Sequence, residues 1–260
     1  MQANKEGFKL YNERFFADNQ NTKYAALSIL RYIFSLADHR SILDVGCGRG
    51  IWLAAAKEAG SKELYGIDGP WNTQTDMIDD DINFVQVDLS GGDLAASVAK
   101  QFDICISLEV AEHLEPNVSG EFIRSLCGFA DLVLFSAAFE GQGGTGHLNE
   151  NMHSFWANLF IENGFEPFDL IRPMFWGDEK IDFWYKQNTF LYARVGAAAH
   201  RGLLRAGHPS IKNIGFMDAI HPELYRRELR KEISTRQLLK RMPAAALNTL
   251  KGRLKRKSLF

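Results

Sequence analysis

Short apolar runs alternate with helix-like segments through residues 41–195, and this alternation predicts the fold class. Apolar positions three and four residues apart indicate helices, whereas short and almost continuous apolar runs indicate buried strands. The predicted strands cover residues 41–45, 63–68, 84–88, 102–108, 132–136, 168–171 and 183–195. The predicted helices cover residues 51–59, 119–129 and 151–163. Such alternation is typical of an α/β protein in which helices cover both faces of a mostly parallel sheet.

The hydrophobic pattern and composition of the chain change at two places, which we interpret as domain boundaries. Helical spacing without strand-like alternation predicts that residues 1–40 form an N-terminal helical cover. Residues 41–196 hold the alternating strands and helices and are predicted to form the main domain. After Gly196 the sequence becomes rich in alanine and glycine and then in charge, which predicts a basic, largely helical extension over residues 197–260.

Composition and cysteine content place the chain among ordinary globular proteins. Its 260 residues are 46% apolar and 24% charged, which excludes disordered and collagen-like classes. No apolar run reaches the roughly 18 to 20 residues of a membrane-spanning helix. Residues 1–11 lack the basic-then-apolar order of a secretory signal. The three cysteines, Cys47, Cys105 and Cys127, are expected to be reduced thiols, which predicts a cytoplasmic protein.

The charge of the chain is divided unevenly. The formal net charge is −2, but residues 221–260 hold 12 Lys and Arg against 3 Asp and Glu. Such a tail favours contact with an anionic membrane surface, which would place the protein at the inner face of the membrane. The alternatives are a partner enzyme, RNA phosphates or a solvated charged helix. No pattern in the tail indicates contacts with nucleotide bases, so we expect no sequence-specific binding of nucleic acid.

Glycines and acidic residues follow the first three predicted strands. Gly46, Gly48 and Gly50 come directly after the first strand, where glycine permits a tight turn and the close approach of a ligand. Asp68 ends the second strand and Asp88 ends the third. Ligands of open parallel sheets bind beyond the carboxyl ends of the strands, so this edge is the predicted binding site. The glycine spacing differs from the G-x-G-x-x-G of dinucleotide-binding proteins and disfavours an NAD-linked oxidoreductase.

The run Leu43-Asp44-Val45-Gly46-Cys47-Gly48-Arg49-Gly50, with the later Gly66-Ile67-Asp68 and Val87-Asp88-Leu89, resembles the class I S-adenosylmethionine-dependent methyltransferases over about residues 40–195. The resemblance implies a Rossmann-like, seven-stranded, mostly parallel sheet. It also implies that Asp44 and the glycines contact the methionine part, Asp68 the ribose and Asp88 the adenine. The residues expected at the cofactor are Asp44, Gly46, Cys47, Gly48, Gly50, Asp68, Gly69, Asp88, Leu89 and Ser107. Trp71 is expected either to stack on the adenine or to pack against the protein.

A second group of polar residues follows the fourth predicted strand. Glu109, Glu112 and His113 share one side of a helical turn, and residues 141–146 lead to His147. This pattern is similar to the metal site of small-RNA terminal 2′-O-methyltransferases and to a segment of ubiquinone-pathway O-methyltransferases. The resemblance implies that these four residues bind Mg²⁺, Mn²⁺ or another first-row divalent ion. Without a metal, His113 or His147 would act as a general base and Glu112 would line the catalytic pocket.

The acceptor is predicted from a further resemblance. Residues 142–150, with Trp156 and the run Trp184-Tyr185-Lys186-Gln187-Asn188, are similar to methyltransferase domains of bacterial surface-polysaccharide and glycan biosynthesis. The resemblance implies O-methylation of a saccharide hydroxyl, with Asn149, Glu150, Gln187 and Asn188 contacting the sugar. The two tryptophans are expected either to stack on the sugar ring or to fill the core. Residues 141–146 are expected either to bind a phosphate of an activated or lipid-linked sugar or to form a mobile acceptor loop. Rival functions are methylation of a small metabolite, a quinone precursor or an RNA terminus, and a non-catalytic scaffold subunit.

Overall fold

A computed structural model of the chain describes residues 19–90 and 94–229. The chain divides into two compact units, residues 1–221 and 222–260. The first 18 residues of the predicted helical cover and residues 230–260 of the basic extension lie outside the described residues. In the second unit the described part is one helix, Pro222–Leu229.

Seven strands form one sheet in the first unit, which confirms the predicted fold class. The strands are β1 Ser41–Val45, β2 Glu63–Asp68, β3 Ile82–Gln86, β4 Ile104–Leu108, β5 Leu132–Ser136, β6 Phe165–Phe168 and β7 Phe190–Arg194. Their order across the sheet is β3-β2-β1-β4-β5-β7-β6. All neighbouring pairs from β3 to β5 are parallel, and β7 runs antiparallel to both β5 and β6. The order reverses at β1 and β4, so a ligand site is expected beyond their carboxyl ends.

Helices cover both faces of this sheet. The described helices are α1 Asn19–Phe34, α2 Ile51–Glu58, α3 Leu94–Ser97, α4 Ser119–Phe129, α5 His153–Glu162, α6 Ile171–Phe175, α7 Phe183–Asn188, α8 Ala198–Arg205 and α9 Pro222–Leu229. Short 3₁₀ turns lie at Gln74–Asp76, Ala111–His113, Pro116–Val118 and Ile214–Asp218. Among the described residues no helix has the length and apolar character to cross a bilayer.

Two hydrophobic clusters lie on opposite faces of the central strands, because neighbouring residues of a strand point to opposite sides. Leu43 of β1 and Cys105 of β4 belong to one cluster together with Trp156 of α5. Ile42 and Ile104 belong to the other cluster, which includes residues from α1 and α2. Burial on both faces explains why these strands read as continuous apolar runs in the sequence.

Four predicted strands differ from those observed. The third lies at 82–86 instead of 84–88, and the sixth at 165–168 instead of 168–171. The fourth strand covers residues 104–108 instead of 102–108. The predicted strand 183–195 is divided, since α7 occupies its first six residues and only Phe190–Arg194 is strand. Aromatic residues at the start of α7 favour a strand locally. Tertiary contacts decide otherwise, because Tyr185 packs edge-on against Trp52 of α2, and Asn188 is buried among polar side chains.

Residues 198–221 lie in the same compact unit as the sheet. His200 of α8 is buried, and its Nε2 lies 3.0 Å from Glu166 Oε2 on β6. The side chain of Arg172 on α6 is buried and donates to the backbone oxygens of Met217 and Ala219. The part of the predicted extension before residue 222 is thus attached to the body. The three cysteines are free and buried.

Candidate active site

The glycine turn after β1 requires glycine at two of its positions for steric reasons. Gly46, Gly48 and Gly50 have φ angles of +83°, +55° and +83°, in the left-handed region that favours glycine. A Cβ atom on Gly46 would lie 2.3 Å from Val110 Cγ2, and one on Gly50 would lie 2.5 Å from Ile82 Cδ1. A Cβ on Gly48 would meet no described atom within 4 Å. The turn is therefore packed against the protein at its two ends and open at its middle.

The Asp68 carboxylate organises this turn from the end of β2. Its Oδ2 accepts a hydrogen bond from the backbone N–H of Gly48 at 2.6 Å, and its Oδ1 accepts one from Gly69 at 2.6 Å. Burial raises the pKa of Asp68, while hydrogen bonds from Gly69, Gly48, Trp71 and Asn72 oppose the shift. Asp68 therefore lies beside the turn in a buried position, and its carboxylate oxygens are oriented by several donors.

Asp44 lies inside the sheet, directly before the glycine turn. It is 4% exposed, and burial raises its pKa to about 8, with a further contribution from the Asp68 carboxylate. Burial also raises the pKa of the Cys47 thiol, which donates a weak hydrogen bond to the Gly48 carbonyl. Two acidic groups and a neutral thiol thus surround the turn. This electrostatic setting suits a ligand that carries positive charge.

The remaining predicted cofactor residues lie in different environments. Asp88 follows β3 by two residues and is exposed, and its Oδ1 accepts a hydrogen bond from the Ser90 N–H. The Leu89 side chain is 8% exposed and belongs to the core cluster that contains Leu43. The Ser107 hydroxyl is fully buried in β4 and has no hydrogen-bond partner among the described residues.

The aromatic and amide residues that follow Asp68 also border the turn. Trp71 is 38% exposed, and a Cβ atom on Gly69 would lie 2.3 Å from its ring. The ring therefore covers Gly69 and leaves part of its surface open to solvent. Asn72 is buried and donates from Nδ2 to the Gly48 carbonyl at 3.1 Å. No sequence pattern indicates this role of Asn72, because it depends on the return of the chain to the turn.

A second cluster contains three titratable residues, two of which follow Val110, the residue that packs against Gly46. One ligand atom each of Glu112, His113 and His147 lies within 4.8 Å of the others. The rings of His113 and His147 are edge to face, with centroids 4.9 Å apart. The structure therefore brings together three of the four residues that were predicted to bind a metal.

Glu112 is the most unusual member of this cluster. Its side chain is fully buried, and neither carboxylate oxygen makes a normal hydrogen bond within the described part of the chain. Burial raises its pKa well above the ordinary value, and the Glu109 carboxylate adds to the shift. Weak contacts with the backbone N–H groups of Glu112 and Ala138 lower this pKa. Burial and the neighbouring His147 lower the pKa of His113.

Glu109 is not one of the three residues whose ligand atoms lie within 4.8 Å of one another, and its side chain is held by other residues. Asn188 Nδ2 donates to Glu109 Oε1 at 3.1 Å, and Gln142 Nε2 lies 3.4 Å from Oε2. The backbone N–H of Glu109 donates to the Ser136 hydroxyl at 3.0 Å. Glu109 has a φ of +55°, which is unfavourable for a residue with a side chain and is often found at functional sites. Burial raises its pKa, and these side-chain donors oppose the shift.

The loop between β5 and α5 forms the outer wall of the site. Glu150 accepts hydrogen bonds from the backbone N–H groups of Gly141 at 3.0 Å and Gly143 at 2.7 Å. Its Oε1 also lies 2.6 Å from His147 Nδ1. A carboxylate can only accept, so Nδ1 carries the proton in this contact. A cleft of about 400 Å³ is lined by Glu140, Gly143, Gly144, His147, Leu148 and Glu150.

Several residues predicted to contact a sugar are directed into the protein. Trp156 is 1% exposed and packs against Phe135, as the core-packing alternative predicted. Asn149 is buried, and its Nδ2 donates to the Ser119 hydroxyl at 2.8 Å. Gln187 and Asn188 are fully or almost fully buried. The sequence pattern predicted polar residues near the site. It could not distinguish residues that form hydrogen bonds inside the protein from residues that face a ligand.

Comparison with known proteins supports one interpretation of this geometry. Residues 16–131 match a family model described as "Methyltransferase domain". No curated protein matches the sequence. Magnesium protoporphyrin IX methyltransferase from Synechocystis PCC 6803 with bound S-adenosylhomocysteine is 17% identical, and the match covers 67% of this chain and 84% of that chain, with a TM-score of 0.47. A SAM-dependent methyltransferase from Archaeoglobus fulgidus is 21% identical. This match covers 59% of this chain and 75% of that chain, with a TM-score of 0.47.

The strand order of the sheet, the glycine turn after β1 and the acidic residue that ends β2 agree with the family match. Together they favour the methyltransferase family over the dinucleotide-binding proteins that the glycine spacing had already disfavoured. The chain therefore has a Rossmann-like α/β fold, and its residues 16–131 match the methyltransferase domain family.

Proposed function

We propose that this methyltransferase transfers the methyl group of S-adenosylmethionine to a hydroxyl oxygen of a saccharide acceptor. The observation that carries the proposal is Glu112, a buried carboxylate without normal hydrogen bonds, which lies beside two imidazoles. It comes two residues after Val110, which packs on the glycine turn. Such a group needs a cation, a proton or a hydroxyl donor to offset the cost of its burial. A hydroxyl nucleophile that must lose a proton is the acceptor chemistry that this cluster serves best.

The residues around the glycine turn suit the methyl donor. The middle of the turn is open at Gly48, so the backbone can approach a ligand closely. The oriented oxygens of Asp68 can accept both hydrogens of a ribose diol. A positively charged methionine part beside Asp44 would favour the ionised form of this buried carboxyl, which could then offset the ligand's charge. The sulfonium methyl group is already activated, so these contacts mainly align it with the nucleophile, and alignment can contribute roughly 7–11 kcal/mol.

The donor set also suits a divalent cation. Two imidazoles and one carboxylate favour Mn²⁺ or another first-row ion over Mg²⁺, which prefers oxygen ligands. Glu112, His113 and His147 would hold the ion, and Glu109 is oriented by Asn188 and Gln142 instead. A bound cation supplies Lewis-acid activation of an acceptor hydroxyl. In a metal-free reaction, His147 is our candidate for the general base, because Glu150 orients its ring through Nδ1.

The first experiment separates methyl transfer from cofactor binding alone. We expect the purified chain to bind S-adenosylhomocysteine in calorimetry and to transfer a labelled methyl group to one member of a panel of saccharides, quinone precursors and short RNAs. A chelator should abolish transfer and Mn²⁺ should restore it, because the cluster would lose its cation. Transfer that is insensitive to the chelator would contradict the metal, and transfer only to a quinone or RNA would contradict the saccharide. Binding without any transfer would indicate the scaffold alternative.

The basic C-terminal unit is proposed to bind an anionic membrane surface, where saccharide acceptors attached to lipids would be accessible. The division at residues 221 and 222 gives a natural truncation point. We expect the full chain to co-sediment with vesicles that contain phosphatidylglycerol, and residues 1–221 to lose this association, because the tail carries most of the excess basic charge. Both forms should bind S-adenosylhomocysteine equally. Equal sedimentation of the two forms would contradict the proposal.

A further inference from the structure

The glycine-rich loop at residues 141–146 has the composition of a phosphate-binding loop, but its donors are directed to a side chain of this protein. A phosphate-binding loop presents free backbone N–H groups to the anion. Here the N–H groups of Gly141 and Gly143 donate to the two oxygens of Glu150. The Glu150 carboxylate therefore takes the place that a phosphate would need.

Backbone geometry explains the glycines of this loop without a phosphate. Gly141, Gly143 and Gly146 have φ angles of +84°, +68° and +77°, which other residues rarely adopt. A Cβ atom on Gly144 would lie 2.1 Å from His147 Nε2, so this glycine makes room for the imidazole ring. The glycine content of the loop follows from its path around His147 and Glu150.

The surroundings of the cleft are acidic. Glu140 and Glu150 line it, and none of the described residues that line it is Lys or Arg. The cleft adjoins Glu112, because the backbone N–H groups of Leu148 and Asn149 donate to the Glu112 carbonyl at 2.8 and 3.0 Å. An anionic group in this cleft would meet carboxylates without a cationic side chain to offset the repulsion. The Leu148 side chain is 57% exposed and gives the same cleft an apolar surface.

We infer that this cleft binds an uncharged, hydroxyl-bearing part of the acceptor and excludes phosphate and carboxylate groups. Hydroxyls can donate to Glu140 and the outer lone pairs of Glu150, and the carbon face of a sugar ring can pack on Leu148. The inference adds detail to the proposed function. It rests on that function in one respect, which is the assignment of the cleft to the acceptor. It implies that any phosphate of the natural acceptor lies away from residues 140–150.

The first test measures whether the loop binds inorganic phosphate. In ¹⁵N-labelled protein, we expect the amide signals of Gly141 and Gly143 to be insensitive to added phosphate. In Glu150→Ala the same two N–H groups lose their hydrogen bonds to Glu150, and we expect a saturable shift of the Gly143 signal on addition of phosphate. Glu140→Ala is the matched control, because it removes a carboxylate from the same cleft without releasing these N–H groups, and it should behave as the wild type. Saturable shifts in the wild type would overturn the inference.

The second test needs no variant and therefore does not depend on the folding of Glu150→Ala. Saturation-transfer NMR on the wild type with bound S-adenosylhomocysteine would compare glucose with glucose 6-phosphate as probes. We expect transfer to glucose to exceed transfer to the phosphate several-fold. Equal transfer, a preference for the phosphate or no transfer to glucose would overturn the inference. Neither test requires turnover, so failure of the proposed methylation would be recognised separately by the labelled-methyl assay.

Discussion

Replacement of Asp68 by alanine is expected to weaken S-adenosylhomocysteine binding by about 100-fold or more. A hydrogen bond to a charged group contributes roughly 1.5–3 kcal/mol, and two such bonds to a ribose diol would be lost. A loss of about 3 kcal/mol corresponds to about 100-fold in affinity. The turn would also lose the acceptor that orients the N–H groups of Gly48 and Gly69. Both effects act in the same direction.

Calorimetry with purified variants would measure this effect, and thermal melting would confirm that each variant is folded. Asp88→Ala is the matched comparison, because Asp88 is exposed and its only described acceptor contact is with the Ser90 N–H. We expect a loss of less than about tenfold for that variant, which corresponds to one weak polar contact. Full affinity in Asp68→Ala would contradict the assignment of Asp68 to the ribose.

Asp44→Asn is expected to change how the stability of the free protein depends on pH. Burial raises the pKa of Asp44 to about 8, from the ordinary value of 3.8. Between these two values the folded state holds a proton that the unfolded state has released. The free energy of unfolding of the wild type should therefore fall as pH rises, by up to about 1.4 kcal/mol for each pH unit. Asparagine cannot titrate, so the variant lacks this contribution.

Urea unfolding of both proteins between about pH 5 and about pH 7.5 would show the effect as a growing advantage of Asp44→Asn over the wild type. Asp76→Asn provides the control with the opposite shift, because hydrogen bonds from Thr73 lower the pKa of Asp76. Asp76 remains ionised throughout this range in both states, and its substitution should change stability by a constant amount. A constant difference for Asp44→Asn would show that Asp44 is ionised in the folded protein.

The sheet was predictable from the sequence wherever a strand is buried on both faces. All five residues of β1 and of β5 are buried, so each gives an apolar run that a surface helix would not give. The glycine turn was predictable because glycine is needed for its backbone angles and contacts. The first part of α7 was predicted wrongly, since its helical conformation depends on contacts with distant residues such as Trp52.

The candidate site was predictable only in part. The spacing of Glu109, Glu112 and His113 placed them after β4, but only the structure separates Glu109 from the other two. The positive φ of Glu109 and its contacts with Asn188 and Gln142 arise from chain segments that lie far apart in the sequence. Similarly, the sequence analysis predicted that Glu150 contacts a sugar. Only the structure shows that the Glu150 carboxylate accepts hydrogen bonds from the backbone of its own loop. Side-chain contacts of this kind cannot be inferred from a periodic pattern in the local sequence.

Asn188 connects the segments that follow β4 and β5 with α5. Its amide nitrogen donates to Glu109 and to Gln142 Oε1, and its oxygen lies 3.1 Å from His153 Nε2. These inner contacts do not include Glu140 or Leu148, which lie at the rim of the cleft and are exposed. Acceptor specificity could therefore diverge, in evolution or by protein engineering, through exchanges at the rim that leave the inner scaffold intact.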